Sequence, residues 1–242
     1  MLSLIPISDA NPTRRFPIVT VGLIVANIVA FLQEPSLGSS PAADRYFFAN
    51  APSPCQLSDS CPTDFPIPQR GLASFLMAVL MSMFLHAGIL HIAGNMLFLW
   101  VFGNNVEDFL GSAKYLLFYL LAGFAASFAH ILTHLDDAVP TVGASGAVAG
   151  VMGAYLVLFP RARINVLVPI FFFFSIIQMS AFAVLGLWFL YQFLIAAQEA
   201  AGATQVAWMA HVGGFVFGVI GIFVMGGRPH RPSPVAWRPG WR

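Results

Sequence analysis

The chain has 242 residues, of which 58% are hydrophobic and 9% charged, and its mean hydropathy is +0.80. A soluble domain carries about 25% charged residues, so this composition excludes a soluble globular protein and indicates a membrane protein. The formal net charge of +1 shows no acidic or basic excess. Nothing therefore points to a nucleic acid or an acidic substrate, and partners are expected in the lipid bilayer.

Six stretches of the chain lack Asp, Glu, Lys and Arg and predict membrane spans: 16–33, 71–105, 115–135, 138–160, 164–198 and 200–227. A helix crosses the hydrocarbon core with about 20 residues, so the second and fifth stretches are longer than one crossing requires. In the second stretch, Ala87 and Gly88 predict a break before the true span. Residues 34–87 are then an outer loop, with a helix lying partly in the membrane surface.

The basic residues predict the orientation of these spans. With six spans, nine of the 11 Lys and Arg residues fall on one side, and only Arg45 and Arg70 fall on the other. Lys and Arg accumulate in cytoplasmic loops, so both termini are predicted to be cytoplasmic. The expected architecture is an all-α polytopic membrane protein with a cytoplasmic N-terminus (1–15), a six-helix membrane domain (16–227) and a basic, Pro-rich cytoplasmic tail (228–242). A cleaved signal peptide over the first span is the alternative.

The outer loop contains both cysteines of the chain, Cys55 and Cys61, in a Pro-rich segment. A closed zinc site needs four ligands, and no histidine lies nearby to complete one. A small disulfide loop is the preferred interpretation, provided that the segment faces an oxidising compartment.

A serine flanked by small residues, Ser145 in "VGASGAVAG", stands near the start of the fourth span, and His211 stands near the start of the sixth. Both spans enter from the outer side in this topology, so the two side chains share a depth. A serine hydroxyl becomes a nucleophile when an adjacent base takes its proton, and histidine suits that task. Close helix contact is predicted from small residues at four-residue spacing: Gly146 and Gly150 in one span, Gly214 and Gly218 in the other.

His91 and Asn95 lie four residues apart on one face of the second span. Both donate hydrogen bonds, and peptide hydrolysis builds negative charge on a carbonyl oxygen that such donors stabilise. The backbone N–H of Ser145, at a helix start, adds a third donor. Gly143 can take positive φ and leaves room for a substrate backbone. For any one isolated polar residue, a single interhelical hydrogen bond is the alternative.

These motifs together resemble those of the rhomboid intramembrane serine proteases. The resemblance lies in "GASG" at Ser145, "AHVGG" at His211, the His91 and Asn95 spacing, and "WVFGNNVEDFLGS" after the second span. It implies a six-helix rhomboid-like bundle with a Ser145 and His211 dyad, no third acidic member, and an oxyanion hole of His91, Asn95 and the Ser145 N–H. It further implies a structural, hydrogen-bonding Glu107 at the cytoplasmic side and a His86 that lines the polar, water-admitting cavity.

The function that this resemblance implies is cleavage of transmembrane protein substrates near the outer leaflet, without cofactor or metal, in a bacterial or archaeal plasma membrane. A non-catalytic rhomboid-like protein that binds transmembrane partners is the alternative. Many family members place an aromatic residue on the catalytic histidine four positions after the nucleophile, where this chain has Ala149. An aromatic side chain from the fifth span, such as Phe174, is expected to fill that space.

The sequence matches the motifs of two other hydrolase classes only in part. His130 and His134 in "HILTH" lie four apart, but Ile131 stands where a zinc protease of the H-E-x-x-H type has its glutamate. The G-x-S-x-G motif of soluble hydrolases also fails, because position 147 is Ala. The pair of histidines is therefore expected at the outer interface, with no metal bound.

Overall fold

The computed structural model describes residues 5–38, 40–64, 66–170, 173–200 and 206–229. Within these ranges the chain is mostly helical and carries one small sheet. The predicted tail at 228–242 lies outside the described residues beyond position 229. The elements in chain order are β1 (Ile5–Asp9), α1 (Ile18–Leu32), α2 (Pro41–Asn50), α3 (Cys55–Ser58), α4 (Leu72–Ser82), α5 (Ile89–Leu110), α6 (Ser112–Thr133), α7 (Ser145–Leu158), β2 (Arg163–Ile170), β3 (Phe173–Ser180), α8 (Ala181–Ala200) and α9 (Trp208–Val224).

The fifth stretch, 164–198, is not one helix, and its excess length over one crossing consists of strands. Strands β2 and β3 form an antiparallel hairpin, and α8 begins only at Ala181. Ile164, Val166 and Val168 are buried at alternate positions, the period of a strand with one covered face. The absence of charge does not distinguish such a strand from a helix.

Residues 5–9 correct a further expectation, the all-α class, because they form a strand. Strand β1 pairs antiparallel with β2 in a sheet of order β1-β2-β3. The Asp9 carboxylate at the end of β1 accepts hydrogen bonds from Tyr155 Oη at 2.5 Å and Asn105 Nδ2 at 2.8 Å. The first strand is therefore joined to α5 and α7. Burial raises the pKa of Asp9 to about 6, although the Tyr155 hydrogen bond acts in the opposite direction.

Three described helices are long and apolar enough to cross a membrane by length and composition: Ile89–Leu110, Ser112–Thr133 and Ala181–Gln198. Helices α1, α4, α7 and α9 are apolar but shorter. The predicted break at Ala87 and Gly88 is confirmed, because α4 ends at Ser82 and α5 begins at Ile89. The protein is thus a multi-pass membrane protein with an additional apolar helix before α5.

Helix α7 occupies the centre of the bundle and packs on α5, α6, α8 and α9, most extensively on α9. Eleven of its 14 residues are buried. The α7–α9 contact uses the predicted glycines, since a Cβ at Gly214 would overlap the carbonyl oxygen of Gly146 and one at Gly218 would overlap that of Gly150. Only glycine allows this backbone approach, so Ser145 and His211, at the starts of the two helices, are brought together.

Glu107 connects three helices at the opposite end of the bundle from Ser145. Its buried carboxylate accepts hydrogen bonds from the backbone N–H groups of Val19 and Thr20 at 2.9 and 2.8 Å. The hydroxyls of Thr20 and Ser112 donate to the same carboxylate at 2.8 and 2.7 Å. The carboxylate therefore occupies the N-terminus of α1 and joins it to α5 and α6, the structural role that the resemblance implies.

At the Ser145 end, the loop before α4 is joined to the segment between α6 and α7. A disulfide links Cys55 to Cys61, in agreement with the preferred interpretation of the sequence. The backbone N–H of Cys55 donates to the carbonyl oxygen of Asp137 at 2.9 Å, and that of Thr141 donates to Pro52 at 3.0 Å. These bonds fix the path of the chain that leads to Ser145.

Candidate active site

Ser145 and His211 form a hydrogen-bonded pair. Ser145 is the first residue of α7 and His211 lies in the first turn of α9, so the glycine contact between these helices also aligns their starts. Ser145 Oγ lies 2.8 Å from His211 Nε2. This distance allows the hydroxyl to donate its proton to the imidazole, the geometry that a nucleophile and its base require.

Two residues of α8 contact the other side of the His211 ring. Gln192 Oε1 lies 2.7 Å from His211 Nδ1. The Trp188 ring, one helical turn earlier, packs against His211 with centroids 5.8 Å apart. The expectation that an aromatic side chain of the fifth stretch, 164–198, fills this space is confirmed by Trp188. The example, Phe174, is wrong, because Phe174 lies in β3 and is 74% exposed. Ala149 is fully buried within α7, and the aromatic partner of His211 comes from α8 instead.

Gly143 and His91 border the space in front of the serine. Gly143 has φ +126°, a conformation that side chains other than hydrogen disfavour. A Cβ at this position would lie 2.8 Å from His91 Nε2 and 3.6 Å from Ser145 Oγ. Glycine therefore serves both purposes here, since it accepts the positive φ and keeps the space between His91 and Ser145 open.

Asn95 supplies amide donors on the same side of the site. One N–H of its side chain donates to the carbonyl oxygen of His91 at 2.9 Å, which fixes the position of the amide one helical turn after His91 in α5. A primary amide has two N–H groups, so the second stays free to bond a ligand. The backbone N–H of Ser145 lies in the first turn of α7, where helical donors lack intrahelical partners.

These side chains border one cavity of about 470 Å³, which is lined by residues of α5, α6, α7, α8, α9 and the segment before α7. Ser145, His211, His91 and Asn95 all line it, together with apolar residues such as Phe98 and Met152. The structure therefore brings together the four side chains singled out in the sequence.

His86 occupies a different place from the one that the resemblance implies. It is fully buried and does not line the cavity, although its ring centroid lies 5.1 Å from that of His91. Its backbone N–H donates to the buried carboxylate of Glu34 at 2.8 Å, which holds the residue inside the protein. Neither ring nitrogen has a hydrogen-bond partner among the described residues.

His130 and His134 stack on each other at the C-terminal end of α6, with ring centroids 4.4 Å apart. His130 is 3% exposed and also borders the cavity. Among the residues that the structure describes, no group of three His, Cys, Asp or Glu side chains is arranged to hold a metal ion.

Gln192 and Trp188 are the site residues that sequence reasoning missed. A signal was present, since Gln192 is a polar residue within an apolar helix and follows Trp188 by one turn. Polar side chains inside membrane helices often face a functional site. The fifth stretch is longer than one crossing and the sequence does not show where its helix begins, so the depth of Gln192 is not defined by sequence alone.

Comparison with known proteins places the chain among the rhomboids. It is 46% identical over 72 residues to Rhomboid protease GluP of Bacillus subtilis, which is 30% of this chain and 14% of that protein. It is 33% identical over 100 residues to Rhomboid protein 1, mitochondrial, of Saccharomyces cerevisiae, which is 40% of this chain and 29% of that protein. It is 27% identical over 208 residues to the human Presenilin-associated rhomboid-like protein, mitochondrial, which is 82% of this chain and 46% of that protein.

The chain spans less than half the length of these three curated relatives. A family model described as Rhomboid domain matches residues 74–228, a range that includes most of α4, all of α5 to α9 and every side chain of the cavity discussed above. This match covers more than half of the chain, and the chain therefore belongs to the rhomboid family.

Proposed function

We propose that the protein is an intramembrane serine endopeptidase that cleaves transmembrane segments of other membrane proteins. The observation that carries this proposal is the 2.8 Å contact between Ser145 Oγ and His211 Nε2 inside a cavity of about 470 Å³. The name of one relative, Rhomboid protease GluP, supports the same reaction class. Family membership supports it further, since rhomboids include serine proteases.

The reaction proceeds through an acyl-enzyme. His211 Nε2 takes the hydroxyl proton while Ser145 Oγ attacks the scissile carbonyl carbon, and the same nitrogen then gives that proton to the leaving amine. Water next attacks the ester, His211 again acts as base, and the acid product leaves with Ser145 restored. His91, the free N–H of Asn95 and the Ser145 backbone N–H stabilise the oxyanion, and each such donor contributes about 3 to 4 kcal/mol.

The proposed topology has six spans, α1, α5, α6, α7, α8 and α9, with both termini in the cytoplasm and Ser145 toward the outer face. Its support is the distribution of Lys and Arg, of which nine of 11 lie on the proposed cytoplasmic side. In this arrangement residues 16–227 form the membrane domain, 34–87 the outer loop and 228–242 a cytoplasmic tail. In this proposed arrangement, water reaches Ser145 from the outer side.

The proposed substrates are transmembrane proteins with small residues at the cut and helix-destabilising residues nearby. A helical backbone does not offer its carbonyl to a nucleophile while hydrogen-bonded, so local unwinding is required. The membrane compartment stays a prediction. The relatives named above include one bacterial protein and two with "mitochondrial" in their names, which does not favour the expected bacterial or archaeal plasma membrane.

A non-catalytic rhomboid-like protein that binds transmembrane partners is the second candidate, and the word "rhomboid-like" in the name of one relative supports it. Such a protein has no need of a hydrogen-bonded serine and histidine. The close Ser145 and His211 contact therefore favours the protease.

The test uses purified wild type, Ser145→Ala and His211→Ala in detergent, with a single-span model substrate and a fluorophosphonate that labels activated serines. Ser74→Ala and His134→Ala are matched controls, since Ser74 is exposed on α4 and His134 lies at the end of α6. We expect cleavage and labelling in wild type and both controls, and neither in Ser145→Ala. Wild type that binds the substrate without cleaving or labelling supports the second candidate instead.

A further inference from the structure

We propose that Gln192 is a positioning residue for the reaction, which holds the His211 imidazole in the one tautomer that can accept the serine proton. This inference rests on the proposed protease function and adds a third member to the pair of Ser145 and His211. It starts from the two contacts of the Gln192 side chain, one to His211 Nδ1 and one to a backbone carbonyl of α8.

The orientation of the Gln192 amide follows from its surroundings. Its Nε2 donates to the carbonyl oxygen of Trp188 at 3.1 Å, and its Oε1 lies 2.7 Å from His211 Nδ1. A flipped amide would bring its oxygen against the Trp188 oxygen, two acceptors with no proton between them. The Trp188 carbonyl therefore directs the acceptor oxygen of Gln192 toward His211.

The amide orientation in turn selects the tautomer of the histidine. An amide oxygen only accepts hydrogen bonds, so the proton of the neutral imidazole lies on Nδ1, facing Gln192. Nε2 then carries the lone pair and faces Ser145 Oγ at 2.8 Å. In the other tautomer, Nδ1 and Oε1 would be two lone pairs 2.7 Å apart, and Nε2 would be unable to accept the serine proton.

Burial explains why an amide suits this place. Gln192 is 1% exposed on an apolar helix. A carboxylate there would carry the cost of a charge in the membrane interior, whereas a neutral amide fixes the tautomer without that cost. The Trp188 ring restricts the imidazole on another side. Together the two residues of α8 fix both the plane and the protonated nitrogen of His211.

The test compares wild type with Gln192→Met, which keeps the side-chain length but removes the acceptor, and with Gln192→Glu, which keeps an acceptor oxygen. Gln198→Met is the matched control, because Gln198 is an exposed glutamine of the same helix. In Gln192→Met we expect kcat to fall about 10- to 100-fold, since general base catalysis is impaired, while KM changes less than about twofold. Gln198→Met should match wild type.

Three further measurements separate positioning from a structural role. Gln192→Glu should recover part of the lost kcat and move the acid limb of the pH profile of kcat/KM to higher pH, because a carboxylate stabilises the imidazolium. Gln192→Met should cause no further loss in a His211→Ala background. The ¹⁵N chemical shifts of the His211 ring should report Nδ1–H in wild type and a mixture of tautomers in Gln192→Met.

The inference is overturned if Gln192→Met keeps kcat within about twofold of wild type. It is equally overturned if the loss persists in the His211→Ala background, or if Gln192→Glu is as slow as Gln192→Met with an unchanged pH profile. The nitrogen shifts need no substrate, so they test the tautomer even when wild type cleaves nothing. Failure of the proposed function is visible separately, as wild type that does not label with fluorophosphonate.

Discussion

The close contact between α7 and α9 makes Gly218→Ala a sharp test of how Ser145 and His211 are aligned. The new Cβ would overlap the Gly150 carbonyl oxygen and lie 2.8 Å from Gly150 Cα. Carbon atoms in contact lie about 3.5 to 4.0 Å apart, so the backbones must separate by about 1 Å. Gly218 is two helical turns from His211, about 10 Å along α9, so the shift reaches the site. A displacement of about 1 Å would lengthen the 2.8 Å distance between Ser145 Oγ and His211 Nε2 beyond the range of a hydrogen bond.

We therefore expect Gly218→Ala to lower kcat/KM and fluorophosphonate labelling at least tenfold and to cost about 1 to 3 kcal/mol of unfolding free energy through overpacking. Gly22→Ala is the matched control, because Gly22 also lies within a helix but nothing lies within 4 Å of its added Cβ. Cleavage and labelling are measured in detergent on folded, monodisperse protein. If folded Gly218→Ala cleaves and labels like wild type, the glycine contact does not align the pair, and the reasoning is refuted.

Substitutions at Glu107, Asp9 and Gly143 test three further contacts. Glu107→Gln should lower the unfolding free energy by about 2 to 4 kcal/mol, measured by thermal unfolding. The reason is that the new amide N–H₂ would face N–H and O–H groups that now donate hydrogen bonds to the carboxylate. Burial raises the pKa of Asp9 to about 6 from 3.8, so wild type loses stability as pH rises through this window. Asp9→Asn should therefore be more stable than wild type at pH 8, by up to about 3 kcal/mol, and equal to it below pH about 4. Gly143→Ala should abolish cleavage in folded protein, because its Cβ enters the space between His91 and Ser145 at φ +126°.

The pairing of Ser145 with His211 was predictable because it depends on local features that sequence displays directly. Helix starts, four-residue glycine spacing and the shared entry side of two spans were enough to bring the residues together. The strands were not predictable by the same approach. Absence of charge identifies a segment that avoids water, and the buried alternation of Ile164, Val166 and Val168 satisfies that condition as well as a helix does. The pairing of β1 with β2 joins residues about 160 positions apart, which no local pattern specifies.

The surroundings of His211 show the same limit within the site. An aromatic side chain of the fifth stretch does pack on His211, but it is Trp188 and not Phe174, which lies in β3. The start of α8 at Ala181 decides which of its faces points at α9, and that start depends on the hairpin before it. Once this register is known, Trp188 and Gln192 share the face toward His211. Because the sequence does not show where α8 begins, it does not show which residues of α8 contact His211.

The loop before α4 and the end of α4 matter to the chemistry because they support the segment that precedes Ser145. Between α6 and α7, residues 134–144 form no helix that would satisfy their backbone groups. Irregular backbone at membrane depth persists only where protein supplies its hydrogen bonds. Here Pro52 and Ser82 accept from Thr141 and Gly143 at 3.0 and 2.9 Å. The loop before α4 and the last residue of α4 therefore accept the hydrogen bonds of the segment that leads to α7 and brings Ser145 to the cavity.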